Sequence, residues 1–439
     1  MSANDKNILT LIDKFSEDLL LLSEHSSQHI KTHVSERKRI KNFADEIASN
    51  EGINQEIDDL MQYLNPHENY ALHSLAVEEL NLRRTTLMQF NAYFVYSFTL
   101  FEKFISDVIK LSVTKNKKVR ELYAQQFLNF AKEHRSKNND DKYINMLTDW
   151  KKMLANYDEL PNPIAIAIFI FGVNESGKIF EKRKFKYVEA RERRNLLTHR
   201  GQYIDKRYLD SIKRGLGKNG QQYEKRLKKE VFRSDELNFN ELEKNRIPAN
   251  ITPSYFVSVI ETLLYIAIVI HLAAFKKSKK LYREQGSYAL NACHRILSYA
   301  FDFKSPTFLF VCKDIWFYFA KEIANLDIKD WCLFERVNYC LCQQKIVEIL
   351  NPILEESSAH SGKKLTAFKP PNFEKILEYC VENEVNHRNL ALAHFRDKPK
   401  EILKYCEKIP VTKVDFHNWV IFKKWQDNPD LRTFFEHSS

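Results

Sequence analysis

A nearly unbroken apolar run over residues 254–275 restricts the fold of this 439-residue chain more than any other feature. Its length would suit a membrane span, but Glu261 and His271 interrupt it and no other segment looks membrane-bound. Thr252 is the expected N-cap of a helix whose first residue is Pro253. We therefore predict a helix buried in a protein core, with no membrane partner.

Glycine and proline are scarce, with 9 Gly and 12 Pro in the whole chain. This composition favours long helices over a turn-rich β architecture, so the predicted fold class is all-α. Three segments are predicted. Residues 1–77 form an N-terminal helical extension and residues 78–275 a helical bundle with a basic insertion. Residues 276–439 form a C-terminal helical domain.

The N-terminal extension is predicted to be a helical pair over residues 6–64, with residues 36–39 between the helices or on an exposed face. The C-terminal domain resembles the tetratricopeptide type of antiparallel helical repeat over residues 389–394 and 416–425.

All seven cysteines follow residue 292 without a Cys-x-x-Cys pair. Reduced thiols in a cytoplasmic protein are therefore expected, and the polar N-terminus predicts no secretory signal.

The candidate site is the motif Arg194-Asn195-x-x-x-His199, in a segment that is predicted to be helical and to end at Gly201. RNA cleavage through the 2′-hydroxyl needs an acid and a base, which histidine provides, and a cation for the phosphorane, which arginine provides. It requires no metal. Asn195 and His199 share a helix face. The alternative is that these are ordinary polar residues on an amphipathic helix.

The spacing of the motif raises a geometric problem. Arg194 lies about 140° around a straight helix from His199, at about 100° per residue. One helix therefore does not direct both side chains to a single phosphate. Either the last turn of the helix is distorted, or a second copy of the chain completes the site.

Positive charge is concentrated around this motif, because residues 181–230 hold 17 Lys and Arg against 7 Asp and Glu. The resulting net charge of +10 equals that of the whole chain. Such a local excess is typical of a surface that binds a phosphate backbone. A solvated basic surface, or one that binds an acidic protein, is the alternative.

The predicted RNA-binding residues are Arg191, Arg193, Arg200, Tyr203, Lys206 and Arg207. The tyrosines proposed to stack on unpaired bases are Tyr187, Tyr203, Tyr208 and Tyr223.

Two other motifs carry weaker signals. Residues 172–178 spell G-x-x-x-x-G-K after an apolar run (163–171) that is interpreted as a strand, but Ile179 replaces the Ser or Thr that a P-loop needs. We therefore expect no nucleotide cofactor. Arg388 and His394 form a second Arg–His pair, with five residues between them in place of four, but the leucines and alanines between them favour helix packing over a second catalytic site.

The order of these pieces resembles the HEPN family of small helical bundles. An aromatic-rich helix with Phe98-Thr99-Leu100-Phe101-Glu102-Lys103-Phe104 precedes Arg194-Asn195-x-x-x-His199, and an apolar helix beginning near Ile251 follows. Many members of this family are metal-independent ribonucleases of bacterial defence and toxin–antitoxin systems. The resemblance covers roughly residues 78–275. The long basic insertion over residues 206–250 is a departure from the family pattern.

The resemblance implies a metal-independent endoribonuclease with Arg194, Asn195, His199 and Glu102 as its catalytic residues, and with neither a metal nor a cofactor. It also implies RNA as partner, tRNA being a common target in the family, and a homodimer in which the two motifs face each other. A regulatory protein or a phage component is the implied trigger. The rival hypothesis is a non-catalytic HEPN-like module that binds RNA or a protein partner.

Overall fold

The computed structural model describes residues 3–50, 70–134, 163–173, 178–199, 203–216, 225, 227, 248–275, 291–302, 306–318, 320, 327–361 and 366–437. Its α-helices are α1 (Ala3–Asn50), α2 (Tyr70–Lys115), α3 (Lys117–His134), α4 (Pro163–Phe171), α5 (Lys178–His199), α6 (Lys206–Leu216), α7 (Pro253–Phe275), α8 (Asn291–Asp302), α9 (Pro306–Tyr318), α10 (Leu333–Ser361), α11 (Phe373–Leu377), α12 (Val385–Phe395), α13 (Pro399–Cys406), α14 (Lys413–Asn418) and α15 (Pro429–His437). Short 3-10 segments are Ile328–Asp330, Glu382–Glu384 and Val420–Trp425. Within these ranges the β structure is limited to an isolated bridge between Tyr203 and Pro248, so the all-α prediction is confirmed.

The N-terminal helix is longer than the sequence indicated. Residues 36–39 do not separate two helices but lie inside α1, where the side chains of Arg37, Lys38 and Arg39 are exposed. Arg37 Nε lies 2.8 Å from Glu79 Oε1, and Arg39 Nη2 lies 2.6 Å from Glu78 Oε1. The prediction of a break at this point was wrong, whereas the alternative of an exposed face is confirmed. Residues 51–69, where the second helix of the pair was expected, lie outside the described residues.

The apolar run before the near-P-loop is a helix, α4, and not the strand that the sequence suggested. A short, wholly apolar run gives no periodicity that separates a strand from a buried helix. Here α4 packs against α3, which buries most of its side chains. The strand that a P-loop requires is therefore not present, while residues 174–177 of the motif lie outside the described part of the chain.

Helix α7 is buried along most of its length, as predicted. Thr252 Oγ1 accepts a hydrogen bond from the backbone N–H of Tyr255 at 3.2 Å, which confirms Thr252 as the N-cap. Glu261, which interrupts the apolar run, lies 3.6 Å from Arg183 Nη1. Burial lowers the pKa of His271 to about 3, so this ring is neutral at pH 7.

One helix in the described part of the chain, Pro253–Ala274, is long and apolar enough to cross a membrane. Within its most apolar window, 89% is buried inside the protein. This degree of burial agrees with the predicted core helix.

The chain divides into two compact units. The motif unit consists of residues 18–101 and 182–263, and the C-terminal unit of residues 1–17, 102–181 and 264–439. This division does not follow the three segments predicted from the sequence, whose boundaries stay predictions. In the C-terminal unit α8 packs on α9, α9 on α10 and α12 on α13. The tetratricopeptide-like arrangement of these helices also stays a prediction. All seven cysteines are free, and five of them are buried.

Candidate functional site

The candidate motif occupies the last turns of α5, and this helix continues as regular α-helix to His199. Leu196 is fully buried and anchors the end of the helix, whereas His199 is exposed. Asn195 is half-buried, one helical turn before His199 and on the same face. The regular helix gives no distorted last turn, so within one copy Arg194 and His199 point in different directions. That a second copy of the chain completes the site stays a prediction.

Arg194 packs its guanidinium against the aromatic-rich helix. Its Cζ atom lies 5.8 Å from the centroid of the Phe98 ring, within the range of a cation–π contact. Its backbone carbonyl accepts a hydrogen bond from Thr198 Oγ1 at 2.9 Å. The half-buried guanidinium therefore has one face held by Phe98, which restricts where it can meet a phosphate.

A buried polar network fixes α5 just before the motif. Glu189 and Arg193 are one turn apart, with Glu189 Oε1 2.8 Å from Arg193 Nη2. Arg193 Nη1 also donates to the backbone carbonyl of Asn250 at 3.1 Å. The hydroxyl of Tyr208 donates to Glu189 Oε1 at 2.6 Å, and that of Tyr255 donates to Glu189 Oε2. These bonds join α5 to α6 and α7 and so position the residues that follow Arg193.

The ionisation of this network follows from its burial and its charges. Burial works to raise the pKa of Glu189, but Arg193 and Lys186 outweigh it and the pKa lies below the ordinary value. Burial works to lower the pKa of Arg193, but Glu189 outweighs it and raises this pKa. Burial and the Glu189 carboxylate raise the pKa of Tyr208 far above its usual range. The network is thus an ion pair with two neutral phenols.

These contacts correct three assignments made from the sequence. Arg193 was predicted to bind RNA, but it is only 4% exposed and its guanidinium is bound to Glu189. Tyr187 and Tyr208 were predicted to stack on bases, but both rings are buried. Tyr187 instead contacts the ring of Phe98. A buried side chain offers no surface to RNA, so these three residues are structural.

The remaining predicted binding residues divide by exposure. Arg191 is half-buried, and its Nη2 lies 3.1 Å from Glu192 Oε1. Lys206 and Arg207 are exposed at the start of α6, and Tyr203 is 49% exposed shortly before them. Arg200 and Tyr223 lie outside the described residues. The exposed members therefore gather at the junction between α5 and α6.

Helix α6 has a basic face, and only some of its residues were among the RNA-binding residues predicted from the sequence. Tyr208, Leu209, Ile212 and Leu216 are buried on one side of the helix. Its other side, which we call the α6 basic face, forms a shallow concavity lined by Lys206, Arg207, Asp210, Lys213 and Arg214. Lys213 and Arg214 were not singled out from the sequence. Their helical spacing from Lys206 and Arg207 is the signal that identifies them.

Glu102, the fourth predicted catalytic residue, is half-buried in α2. It belongs to the C-terminal unit, whereas Arg194, Asn195 and His199 belong to the motif unit. The motif unit by itself therefore brings together Asn195 and His199, with Arg194 beside Phe98. The catalytic assignment of Glu102 stays a prediction.

The second Arg–His pair has the contacts of a packed core. His394 is 4% exposed, and its Nδ1 accepts a hydrogen bond from Trp425 Nε1 at 2.9 Å. Burial, assisted by Lys424, lowers the pKa of His394 to about 4. Arg388 Nη1 donates to the backbone carbonyl of Glu378 at 3.2 Å. These contacts agree with the packing role that was preferred from the sequence.

The described residues thus define an all-α protein in which one helix ends in an exposed histidine, seven residues before the start of a helix with a basic face. No family model, no curated protein and no solved structure matches the chain. The function is therefore argued from the residues themselves and from the motif.

Proposed function

We propose that this protein is a metal-independent endoribonuclease of the HEPN type that acts as a homodimer. The observation that carries the proposal is the placement of His199 at the exposed end of α5, close in sequence to the α6 basic face. A basic surface concentrates RNA through its phosphates, and an imidazole transfers protons near neutral pH. Arg194 adds a cation whose direction is restricted by Phe98.

In the proposed reaction, the 2′-hydroxyl of a nucleotide attacks its own 3′-phosphate. The imidazole of His199 accepts the 2′ proton while the new P–O bond forms. The bond to the 5′-oxygen then breaks, and the protonated imidazole of His199 donates its proton to the leaving oxygen. The products are a 2′,3′-cyclic phosphate and a 5′-hydroxyl. This route needs only proton transfer and positive charge, so it proceeds without a metal or a cofactor.

Arg194 and Asn195 have supporting roles in this proposal. The guanidinium of Arg194 binds the non-bridging oxygens and stabilises the charge that builds up on the phosphorane. The amide of Asn195, one turn before His199, orients the imidazole or donates to the phosphate. Since one regular helix does not bring Arg194 and His199 together, each active site combines Arg194 of one copy with His199 of the other.

The proposed biological role is bacterial defence or toxin activity, with tRNA among the candidate substrates and a regulatory protein or phage component as trigger. This part rests on the resemblance to HEPN proteins alone. The C-terminal helical domain, residues 276–439, is then a sensor or regulator.

The experiment that tests the activity uses pure protein with total RNA in EDTA, followed by mapping of the cut ends. A DNA of matched sequence serves as control, since it lacks the 2′-hydroxyl. We expect cuts in RNA alone. RNA that is bound but not cut would replace this proposal with the binding-module alternative.

The shared site is tested by mixing two inactive variants. Arg194→Ala and His199→Ala proteins are each expected to be inactive. In a mixed dimer, the intact arginine of one chain meets the intact histidine of the other and restores one of the two sites. Activity that appears on mixing supports the shared site. No recovery, with mixed dimers verified by mass spectrometry, would contradict it.

A further inference from the structure

A cavity in the C-terminal unit has no role in the proposed RNA chemistry. It has a volume of about 290 Å³ and is lined by residues of α8, α10 and α12 and of the 3-10 segments Glu382–Glu384 and Val420–Trp425. Its wall is largely apolar, with contributions from Val337, Leu341, Leu390, Trp419 and Ile421. At about 30 Å³ per water-sized group, the space suits a ligand of about ten such groups. Cavities of this kind, apolar with a few polar groups, are typical small-molecule sites.

The polar groups on the wall define which ligand it fits. Asn338 lines the cavity and is only 5% exposed. Its Nδ2 donates to the backbone carbonyl of Phe334 at 3.0 Å, so the side chain presents its Oδ1 as an acceptor. Glu384 adds a carboxylate, of which Oε2 accepts only a long bond, at 3.4 Å, from the N–H of Val381. Hydrogen-bond acceptors on this wall require donors on the ligand.

The charges around the cavity point to the same ligand class. Among the described residues that line it, none is Lys or Arg. His294 lines the wall, and its Nε2 lies 3.0 Å from Oε1 of Glu335, a carboxylate that is fully buried behind it. Glu384 is the carboxylate that lines the wall itself, and His387 adds a second imidazole there. The wall therefore offers an anionic ligand no arginine or lysine side chain with which to form an ion pair.

We propose that this cavity binds a small apolar amine, with its aromatic or aliphatic body among Val337, Leu341, Leu390 and Trp419. The ammonium group donates to Asn338 Oδ1 and to the Glu384 carboxylate. The proposal concerns binding only and is independent of the proposed nuclease activity.

The test is isothermal titration calorimetry of the full-length protein with tryptamine as probe. Indole-3-propionate is the matched control ligand, because it has the same ring system and a carboxylate in place of the amine. We expect saturable binding of tryptamine and an affinity for indole-3-propionate that is lower by about ten-fold or more. Equal binding of the two ligands, or no tryptamine binding up to millimolar concentration, would overturn the proposal.

Two variants test whether tryptamine binds in this cavity. Ser298→Phe adds a ring at a half-buried position on its wall and is expected to abolish binding. Asn338→Leu removes the acceptor at similar volume and is expected to weaken binding by about ten-fold. Thr366→Phe, on an exposed residue outside the cavity, controls for the added ring. Circular dichroism verifies the fold of each variant. Unchanged tryptamine affinity in folded Ser298→Phe and Asn338→Leu proteins would contradict this location.

Discussion

Glu189 and Arg193 form a fully buried ion pair within α5, one turn before the candidate catalytic residues. The pair also binds Tyr208, Tyr255 and the backbone of Asn250. A buried charge is tolerated only when its partners remain in place. The ion pair therefore makes the position of the motif dependent on the docking of α6 and α7.

Loss of the Glu189 charge is expected to destabilise the protein strongly. Glu189→Gln leaves the buried Arg193 without a counter-charge, so the free energy of unfolding should fall by about 3–5 kcal/mol. Urea denaturation followed by circular dichroism measures this change. Lys213→Gln, on the exposed side of α6, is the control and should change stability by less than about 0.5 kcal/mol. Equal stability of the two variants would show that the ion pair is not a structural anchor.

His394 is expected to make stability fall in mild acid. Its folded pKa of about 4 lies below the ordinary value of 6.5, so the unfolded chain binds the proton more readily. The contribution is fully present above pH 6.5 and is lost as the pH falls towards 4. A difference of this size corresponds to about 3 kcal/mol, at about 1.36 kcal/mol per pH unit.

Urea denaturation at several pH values compares the wild type with His394→Asn. The asparagine keeps an acceptor for Trp425 Nε1 but does not titrate. The variant should lose less stability than the wild type between pH 6.5 and 4. Parallel pH profiles would mean that His394 titrates normally in the folded protein.

The α6 basic face is expected to bind RNA through phosphates without choosing a sequence. The double variant Lys206→Gln/Arg207→Gln removes two charges, so the slope of log K against log salt should become shallower by about 1.4. Fluorescence anisotropy with a labelled single-stranded RNA gives this slope. Lys404→Gln/Lys408→Gln removes two exposed charges elsewhere and should leave the slope unchanged. A loss of affinity for some sequences only would instead indicate base recognition.

Lys178 is expected to have no nucleotide-dependent role. The run before it is a helix, and Ile179 occupies the position where a P-loop has the hydroxyl that holds Mg²⁺. Lys178→Ala should therefore retain nearly full ribonuclease activity. Calorimetry with Mg²⁺ and ATP should show no binding in the wild type. Tight ATP binding that disappears in Lys178→Ala would restore the nucleotide hypothesis.

Local features of the sequence predicted local features of the fold. The cap at Thr252, the proline at the first position of α7 and the aromatic-rich stretch over residues 98–104 each act within a few residues. The structure confirms these helices. The apolar run at residues 163–171 was misjudged because its helical state depends on packing against α3, which local pattern does not encode.

The site was predicted only in part, because local sequence patterns do not encode contacts between helices. The exposure of His199, Lys206 and Arg207 follows from their helix faces. The burial of Arg193 depends on Tyr208 and Tyr255, which come from α6 and α7, so the sequence alone did not separate this arginine from Arg194. The spacing of Glu189 and Arg193 was the available signal, because opposite charges four residues apart on a helix attract each other.

The most direct test of the central claim is to compare the wild type with His199→Ala on RNA in EDTA and to identify the new ends. Wild-type protein should leave 2′,3′-cyclic phosphates. His199→Ala, verified as folded, should cut at least about 10²-fold more slowly while still binding RNA. His437→Ala, at an exposed histidine in the C-terminal unit, should cut like the wild type. Cleavage that disappears in EDTA and returns with Mg²⁺, or that persists unchanged in His199→Ala, would contradict the proposed mechanism.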